Sequence, residues 1–137
     1  KGNKVEENWY DSDGILSGKT ISKYDSKGNQ IEQKRYGSDG KLNKKSISKY
    51  DSKQNEVALS EYDSDGRETK FIYVYDSKGN KVEELSYDSE RKLERTSIYK
   101  YDTKNRAIEN ISYLNKLKFG ELQRKPQSKH TYEYEEY

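Results

Sequence analysis

The chain has 137 residues, enough for one domain, but 38% of them are charged and only 28% are hydrophobic, which excludes a large apolar core. Its 27 basic and 25 acidic residues nearly cancel, so nothing indicates nucleic acid or an anionic membrane as a partner. The absence of cysteine excludes disulfides and thiolate metal sites, and no apolar run is long enough for a transmembrane helix, so we expect no membrane insertion.

The sequence begins inside a repeat. Residues 1–7 read Lys-Gly-Asn-Lys-Val-Glu-Glu, and the same seven residues recur at 78–84. We therefore expect further repeats or a targeting segment upstream.

A tyrosine-led signature, most often Tyr-Asp-Ser, recurs along the chain at intervals that alternate between 12 and 14 residues, with a single interval of 13. Two alternating half-repeats make a unit of about 26 residues, which indicates a repeat architecture. The tyrosines that begin the signature are Tyr10, Tyr24, Tyr36, Tyr50, Tyr62, Tyr75, Tyr87 and Tyr101, and Tyr113 continues the phase.

The residues that follow each tyrosine predict a β-hairpin turn. One class reads Asp-Ser-Lys-Gly-Asn, as at 25–29, and the other reads Asp-Ser-Asp-Gly, as at 11–14. Both fit a type I turn followed by a left-handed residue, which is a position suited to glycine. Asn105 suits that position acceptably, whereas Gln54 and Arg91 each cost on the order of 1 kcal/mol there.

The segments between the turns predict strands, because they alternate polar residues with Tyr, Ile, Thr and Val and lack a helical stripe. We expect an all-β fold: a tandem antiparallel β-hairpin repeat, a meander of about 11 strands in a single-layer or coiled, twisted sheet. The turn geometry predicts four residue pairs across neighbouring strands, namely Tyr24–Gln30, Tyr36–Leu42, Lys23–Ile31 and Ile31–Ile47.

This register predicts two mixed faces. One carries Tyr24, Tyr36, Leu42 and Tyr50, and the other carries Ile21, Ile31 and Ile47 together with Trp9 and Val5. Neither face is apolar enough for a sandwich. The interval of 13 between Tyr62 and Tyr75 predicts a β-bulge near Arg67 to Tyr75.

The repeat phase ends after Tyr113. We therefore divide the chain into a hairpin repeat array at 1–113 and an irregular capping segment with a final strand at 114–137. The segment carries Leu117, Phe119 and Leu122 around Gly120, and its charged last strand is suited to protecting an open sheet edge.

The Tyr-Asp-x-x-Gly positions, above all Lys-Tyr-Asp-Ser-Lys-Gly-Asn at 23–29, resemble the bacterial YD-repeat (Rhs-like) β-hairpin proteins. The resemblance covers about residues 1–113 and is closest to the compact, charged Tyr-Asp repeat proteins of Bacteroidetes. It implies a spiralling hairpin array on a secreted or cell-surface bacterial protein, so an extracytoplasmic location is expected, with the signal segment outside this sequence. This chain departs from the larger members by its shorter spacing and higher charge.

No motif indicates an enzyme, a cofactor or a metal site. His130 is the single histidine, and the glutamates recur at equivalent strand positions such as Glu32 and Glu109, which favours cross-strand pairing over acid–base catalysis. The Asp-Ser-Asp-Gly turns at 11–14 and 63–66 allow a calcium interpretation, but Lys replaces the second Asp in sister turns.

Exposed aromatic residues are the candidate ligand-binding groups, since rows of tyrosine can stack on sugars or contact an extended partner. Trp9 departs from the repeat consensus and is the leading candidate. The candidate residues are Trp9, Tyr10, Tyr36, Tyr62 and Tyr87.

The sequence thus favours a non-enzymatic exported repeat module that binds protein or glycan, or acts as a spacer. Two alternatives remain open. One is an accessory scaffold domain of a larger secreted enzyme or toxin, and the other is a calcium-stabilised surface repeat array.

Overall fold

A computed structural model describes residues 2–118 and 120–135 of the chain. Within these ranges all regular structure is β-strand, with no helix that could cross a membrane. The ten strands are β1 (Glu6–Tyr10), β2 (Leu16–Tyr24), β3 (Gln30–Gly37), β4 (Leu42–Tyr50), β5 (Glu56–Tyr62), β6 (Glu68–Tyr75), β7 (Lys81–Tyr87), β8 (Leu93–Tyr101), β9 (Ala107–Lys118) and β10 (Glu121–Thr131).

The chain forms two compact units, residues 1–69 and 70–137. In the first unit β1 to β5 pair in sequence order, and in the second β6 to β10 do the same, always antiparallel. Each unit is therefore a meander of hairpins in a single sheet. The predicted all-β hairpin-repeat fold is confirmed, with ten strands in the described ranges against about 11 expected.

The turns have the predicted geometry. In the turn at 25–29, the Asp25 amide donates to the Asn29 carbonyl at 2.9 Å and the Gly28 amide donates to the Asp25 carbonyl at 3.1 Å, which is a type I turn closed by a left-handed residue. The three non-glycine residues expected in that position do adopt it, with φ of 70° at Gln54, 61° at Arg91 and 62° at Asn105.

The predicted register holds next to the turns and fails one residue further on. Tyr24 pairs with Gln30 as expected, but Lys23 then pairs with Glu32, so the predicted Lys23–Ile31 pair is wrong. The left-handed residue of the turn forms a first bulge. A second bulge follows it in β3, where Ile31 is an extra residue, and this bulge shifts the register.

The same shift occurs in the next hairpin. Tyr36 pairs with Leu42 as expected, and Arg35 then pairs with Lys44. Ile47 consequently lies opposite Glu32, and the predicted Ile31–Ile47 pair is also wrong.

These bulges recur in the hairpins of both units. The β6–β7 pairing shifts opposite Val74 and Tyr75, but the extra residue is Val82 in β7, outside the segment from Arg67 to Tyr75 where the sequence predicted a bulge. Equivalent shifts at Trp9/Tyr10, Lys49/Tyr50, Ser86/Tyr87 and Lys100/Tyr101 show that the cause is the hairpin itself and not the interval of 13 residues.

The bulges redistribute side chains between the two faces of the first unit. We call the side that carries Ile21 and Ile47 the front, and the opposite side the back. Tyr36 pairs with Lys19, which alternates with Ile21 along β2, so Tyr36 lies on the front. The predicted single row of tyrosines is therefore wrong: Tyr24 and Tyr50 lie on the back, while Tyr36 and its partner Leu42 lie on the front.

Trp9 also lies on the back, not with the isoleucines. It pairs with Gly18, and Val5, which precedes the front residue Glu6, falls on the back with it. A Cβ on Gly18 would meet the Tyr36 carbonyl oxygen at 3.2 Å and the Trp9 ring at 3.6 Å, so glycine allows the indole to lie close to the backbone.

The core is thin and largely polar, as the composition implied. Ala58 is the buried hydrophobic residue of the described ranges, and small polar residues supply the rest of the interior. In the second unit Thr96 is fully buried, and its hydroxyl accepts a hydrogen bond from the Asn115 amide at 2.9 Å. The fold therefore depends on backbone ladders and turns more than on apolar burial.

The segment after Tyr113 is a regular hairpin where the sequence predicted irregular structure. β9 continues to Lys118, Leu117 pairs with Leu122, and Pro126 is accommodated at a register shift in β10. Every residue of β10 is exposed, His130 included. Phe119 and residues 136–137 lie outside the described residues. The division into an array and a cap at residue 113 stays a prediction.

Candidate binding grooves

The tyrosines proposed from the sequence do not form an open aromatic platform. Tyr36 and Tyr62 are half-buried on the front of the first unit, and lysine ammonium groups lie over their rings: Lys19 at 5.5 Å and Lys45 at 5.7 Å from the centroids. The Tyr62 hydroxyl donates to Glu68 Oε1 at 3.1 Å. These rings are engaged within the sheet.

The other candidates are dispersed. Tyr10 is 61% exposed and Trp9 is 43% exposed, but their side chains project from opposite faces because they are neighbours in β1. Tyr87 is half-buried at the end of β7 in the second unit, paired with Lys70 and Leu93. The structure therefore brings Tyr10, Tyr36 and Tyr62 to one face and separates Trp9 from them.

Each unit has a groove at the strand ends that are joined by turns of the Asp-Ser-Lys class. The first groove, with a volume of about 670 Å³, lies between the turns that begin at Asp25 and Asp51. The second, of about 430 Å³, lies between the turns that begin at Asp76 and Asp102. They are repeat equivalents, since nine lining positions of the second follow those of the first by 51 residues.

Bulge residues contribute aliphatic side chains to both grooves. Ile31 and Ile47 line the first groove together, although they are not a cross-strand pair. Val82 and Ile108 take this part in the second groove. In the hairpins β2–β3, β6–β7 and β8–β9, the bulge residue beyond the turn is thus a branched aliphatic residue that lines a groove.

The turn aspartates in the first groove are fully occupied by their own turns. Asp25 accepts from the Lys27 and Asn29 amides, both at 2.9 Å, and from the Asn29 side chain at 3.0 Å. The Asn29 side chain and backbone bonds lower the pKa of Asp25 below its ordinary value. Asp51 has the same bonds to Lys53 and Asn55, and its pKa is lowered for the same reason.

Glu32 is also neutralised within the sheet. Its carboxylate lies 2.9 Å from the Lys23 ammonium and 3.7 Å from those of Lys34 and Lys45. The hydrogen bond from Lys23 outweighs burial and lowers the pKa of Glu32. Its side chain is only 17% exposed.

Lys49 differs from its repeat equivalents. Lys23 is paired with Glu32 across the strand, and Lys100 lies 2.6 Å from Glu109 in the same relation. The residue opposite Lys49 is Ala58, which carries no charge. Among the described residues no carboxylate forms an ion pair with the exposed Lys49 ammonium, which lines the first groove.

One tyrosine that lines each groove donates a hydrogen bond to the backbone of the neighbouring strand. The Tyr50 hydroxyl donates to the Gln30 carbonyl at 3.0 Å, and Tyr101 donates to the Lys81 carbonyl at 2.9 Å. Burial raises the pKa of both phenols. These hydroxyls fix the strand ends that form the groove walls.

Lys81, beside the second groove, is enclosed by aromatic rings. Its ammonium lies 5.1 Å from the Tyr73 centroid, 5.0 Å from the Tyr99 centroid and 2.6 Å from Glu84 Oε2. Burial lowers the pKa of Lys81, but the bond and charge of Glu84, together with Tyr99, outweigh it, and the pKa is raised. This cation therefore stabilises the sheet from within.

The Asp-Ser-Asp-Gly turns use their carboxylates as hydrogen-bond acceptors. Asp11 Oδ1 accepts from the Asp13 amide at 3.0 Å and from the Ile15 amide at 2.9 Å. In the part of the chain that the structure describes, no three acidic, histidine or cysteine side chains are grouped so that they could hold a metal ion.

Sequence reasoning missed the grooves because they depend on the second bulge. A signal was nevertheless present in the sequence. Two positions after the turn asparagine or its equivalent stands a branched aliphatic residue, at Ile31, Val57, Val82 and Ile108. The tyrosines that the sequence proposed lie at the opposite strand ends from the groove in each unit.

The fold and the grooves define a class of protein. It is an antiparallel β-hairpin repeat protein in which a groove between two turns recurs along the chain. Among solved structures, the crystal structure of a Bacteroides fragilis protein of unknown function is similar, with a TM-score of 0.58 and 15% identity over 82% of this chain and 91% of that chain. This similarity shows a shared fold. The Photorhabdus luminescens Tc holotoxin pore is matched over 88% of this chain and 10% of its own, with a TM-score of 0.28 and 12% identity, which is too weak for any inference. No protein-family model and no curated protein sequence matches the chain.

Proposed function

We propose that this chain is a non-enzymatic binding module that presents its two grooves between turns to a protein or glycan partner. The observation that carries the proposal is the recurrence of the same groove, with equivalent aspartates, aliphatic residues and lysines, 51 positions apart. Repetition of a concave surface suits a partner with a repeating or extended structure.

We further propose that the module is an exported bacterial protein related to the compact Tyr-Asp repeat proteins. The support is the turn signature, in which a tyrosine ends the strand and the following aspartate caps the turn, as Asp25 and Asp76 do. The same architecture without a ligand would serve as a spacer.

A direct test is to probe glycan and peptide arrays with the fluorescently labelled full chain. The groove variant Ile31→Thr/Val82→Thr reduces the aliphatic surface of both grooves and is expected to reduce binding. Ile15→Thr changes the same type of side chain at a turn away from the grooves, where the residue is 64% exposed, and is expected to bind normally.

The remaining outcomes separate the alternatives. Binding that is lost in Trp9→Ala but kept in the groove variant would assign recognition to the back of β1, as the sequence suggested. An array without any signal would reject the binding module in favour of a spacer.

A further inference from the structure

The two grooves differ at one strand position, where the first groove has a lysine without a carboxylate partner in the described part of the chain and the second has a paired lysine. Lys49 has no carboxylate partner among the described residues, because Ala58 stands where the repeat elsewhere places glutamate. In the second groove the equivalent Lys100 is 2.6 Å from Glu109, which also contacts Lys129 at 2.6 Å.

The carboxylates of the first groove are satisfied within the sheet. Asp25 and Asp51 each accept three hydrogen bonds inside their turns, and Glu32 is paired with Lys23. Two lysines that line the first groove are therefore open to a ligand carboxylate, Lys49 on β4 and Lys27 in the turn. Lys27 has an equivalent in the second groove, Lys78, so Lys49 is the cation that distinguishes the first groove.

The apolar lining of the groove favours a peptide over a sugar. Sugars and bases are commonly recognised by open aromatic faces, but the aromatic residue of this groove, Tyr50, is half-buried and its hydroxyl is bonded to the Gln30 carbonyl. Ile31 and Ile47 offer branched aliphatic surface that fits an aliphatic side chain. An extended peptide places successive side chains on opposite sides at about 3.3 Å per residue. An aliphatic side chain can therefore enter the groove while the next, acidic one stays outside it, where the exposed and flexible Lys49 side chain can reach it.

We propose that the first groove binds an extended acidic peptide segment in which aliphatic residues alternate with Asp or Glu, with Lys49 as the residue that selects the carboxylate. The proposal rests on the proposed binding function and names the ligand class for one of the two grooves. The replacement of glutamate by Ala58 is what makes Lys49 available.

The test uses two capped, fluorescein-labelled octapeptides, one alternating Leu and Glu and the other alternating Leu and Gln, titrated against the full chain by fluorescence anisotropy. The Leu-Glu peptide is expected to bind about threefold or more tightly than the Leu-Gln peptide, because one exposed ion pair contributes at most about a fivefold preference. Lys49→Ala is expected to remove this preference.

Two further variants make the result specific. Ala58→Glu recreates the pairing seen at Lys23–Glu32 and should remove the preference while Lys49 is still present; circular dichroism and thermal melting confirm that the variant is folded. Lys100→Ala makes the matched change in the second groove, leaves Glu109 paired with Lys129, and should keep the preference.

Equal binding of the two peptides by the unaltered chain, or a preference that survives both Lys49→Ala and Ala58→Glu, would overturn the inference. So would an absence of binding by either peptide. If array ligands still bind Ala58→Glu and are lost only in the groove variant Ile31→Thr/Val82→Thr, the binding function stands and the assignment of Lys49 fails.

Discussion

Among the described residues, the non-glycine residues with positive φ are single turn residues. Gln54 and Arg91 occupy the left-handed position that glycine takes in sister turns, with φ of 70° and 61°. A side chain with a Cβ is disfavoured there by about 1 kcal/mol, and asparagine is disfavoured less because its short polar side chain is tolerated. These two turns are therefore the positions where a single substitution can stabilise the chain.

Gln54→Gly and Arg91→Gly are each expected to stabilise the protein by about 1 kcal/mol, which raises Tm by a few degrees. Thermal unfolding followed by circular dichroism measures the effect. Asn105→Gly should give a smaller gain, and Lys53→Gly, at a turn position without positive φ, should lower Tm. A fall in Tm for both Gln54→Gly and Arg91→Gly would show that the side chains contribute more than the backbone strain costs.

At the level of the hairpin, tyrosine hydroxyls tie the end of one strand to the start of the preceding strand. Tyr24, Tyr50 and Tyr101 donate to carbonyl oxygens 20 residues earlier, at 3.0, 3.0 and 2.9 Å. Because the core is thin, we expect each of these bonds to contribute measurably to the free energy of unfolding. They lie at the strand ends where the grooves are found.

Replacement of Tyr50 or Tyr101 by phenylalanine is expected to cost about 0.5–1.5 kcal/mol, since each phenol is partly buried and its acceptor loses a partner. Urea unfolding measures the change. Tyr10→Phe is the matched control, because the described residues offer the 61% exposed Tyr10 no hydrogen-bond partner, and it should leave the midpoint unchanged. Equal effects at all three positions would reject the role of the bonds.

The sequence was sufficient to predict these hairpins but not their full register. The turn type follows from Asp, Gly and Asn chemistry within five residues, so the Tyr24–Gln30 pair could be predicted. The second bulge has no glycine or proline to mark it, because Ile31 and Asn43 are ordinary strand residues. It depends on how the two strands pair beyond the turn, and it increases the local twist of the hairpin.

The same limit applies to the candidate site. Repetition drew attention to Tyr36 and Tyr62 as exposed aromatics, but burial and cation contact depend on Lys19 and Lys45 from neighbouring strands. The grooves required the positions of bulge residues and of two turns from different hairpins. The exceptional lysine at 49 could be recognised from the alignment of repeats only once the cross-strand partner Ala58 was known.

Across the described residues, hydrogen bonds and ion pairs of charged side chains add to the backbone ladders that hold this thin-cored fold together. Six carboxylates have lowered pKa values because of hydrogen bonds or lysine partners: Asp25, Asp51, Asp76, Asp102, Glu32 and Glu109. Three lysines have raised pKa values: burial opposes the rise at Lys81, and the bonds to Glu90 and Glu109 produce it at Lys92 and Lys100.

The signs of these shifts predict a plateau of stability with a fall at both ends. Carboxylates with lowered native pKa values contribute fully above their ordinary values of 3.8 and 4.5, and the contribution is lost as pH falls through the native values. Lysines with raised native pKa values contribute fully below 10.5, and the contribution is lost as pH rises through the native values. The urea midpoint should therefore be flat between about pH 5.5 and pH 9.5.

The acid limb can be assigned to the turns with the triple variant Asn29→Ala/Asn55→Ala/Asn80→Ala, which removes the side-chain amides that donate to Asp25, Asp51 and Asp76. At neutral pH the variant should be less stable than the parent chain. Because its aspartates return toward their ordinary pKa, its midpoint should fall less steeply with acid, and the two curves should converge near pH 2. Parallel curves from pH 7 to pH 2 would show that the amides stabilise the turns regardless of aspartate ionisation. The acid limb would then be assigned to the carboxylates that the variant leaves untouched, Asp102, Glu32 and Glu109.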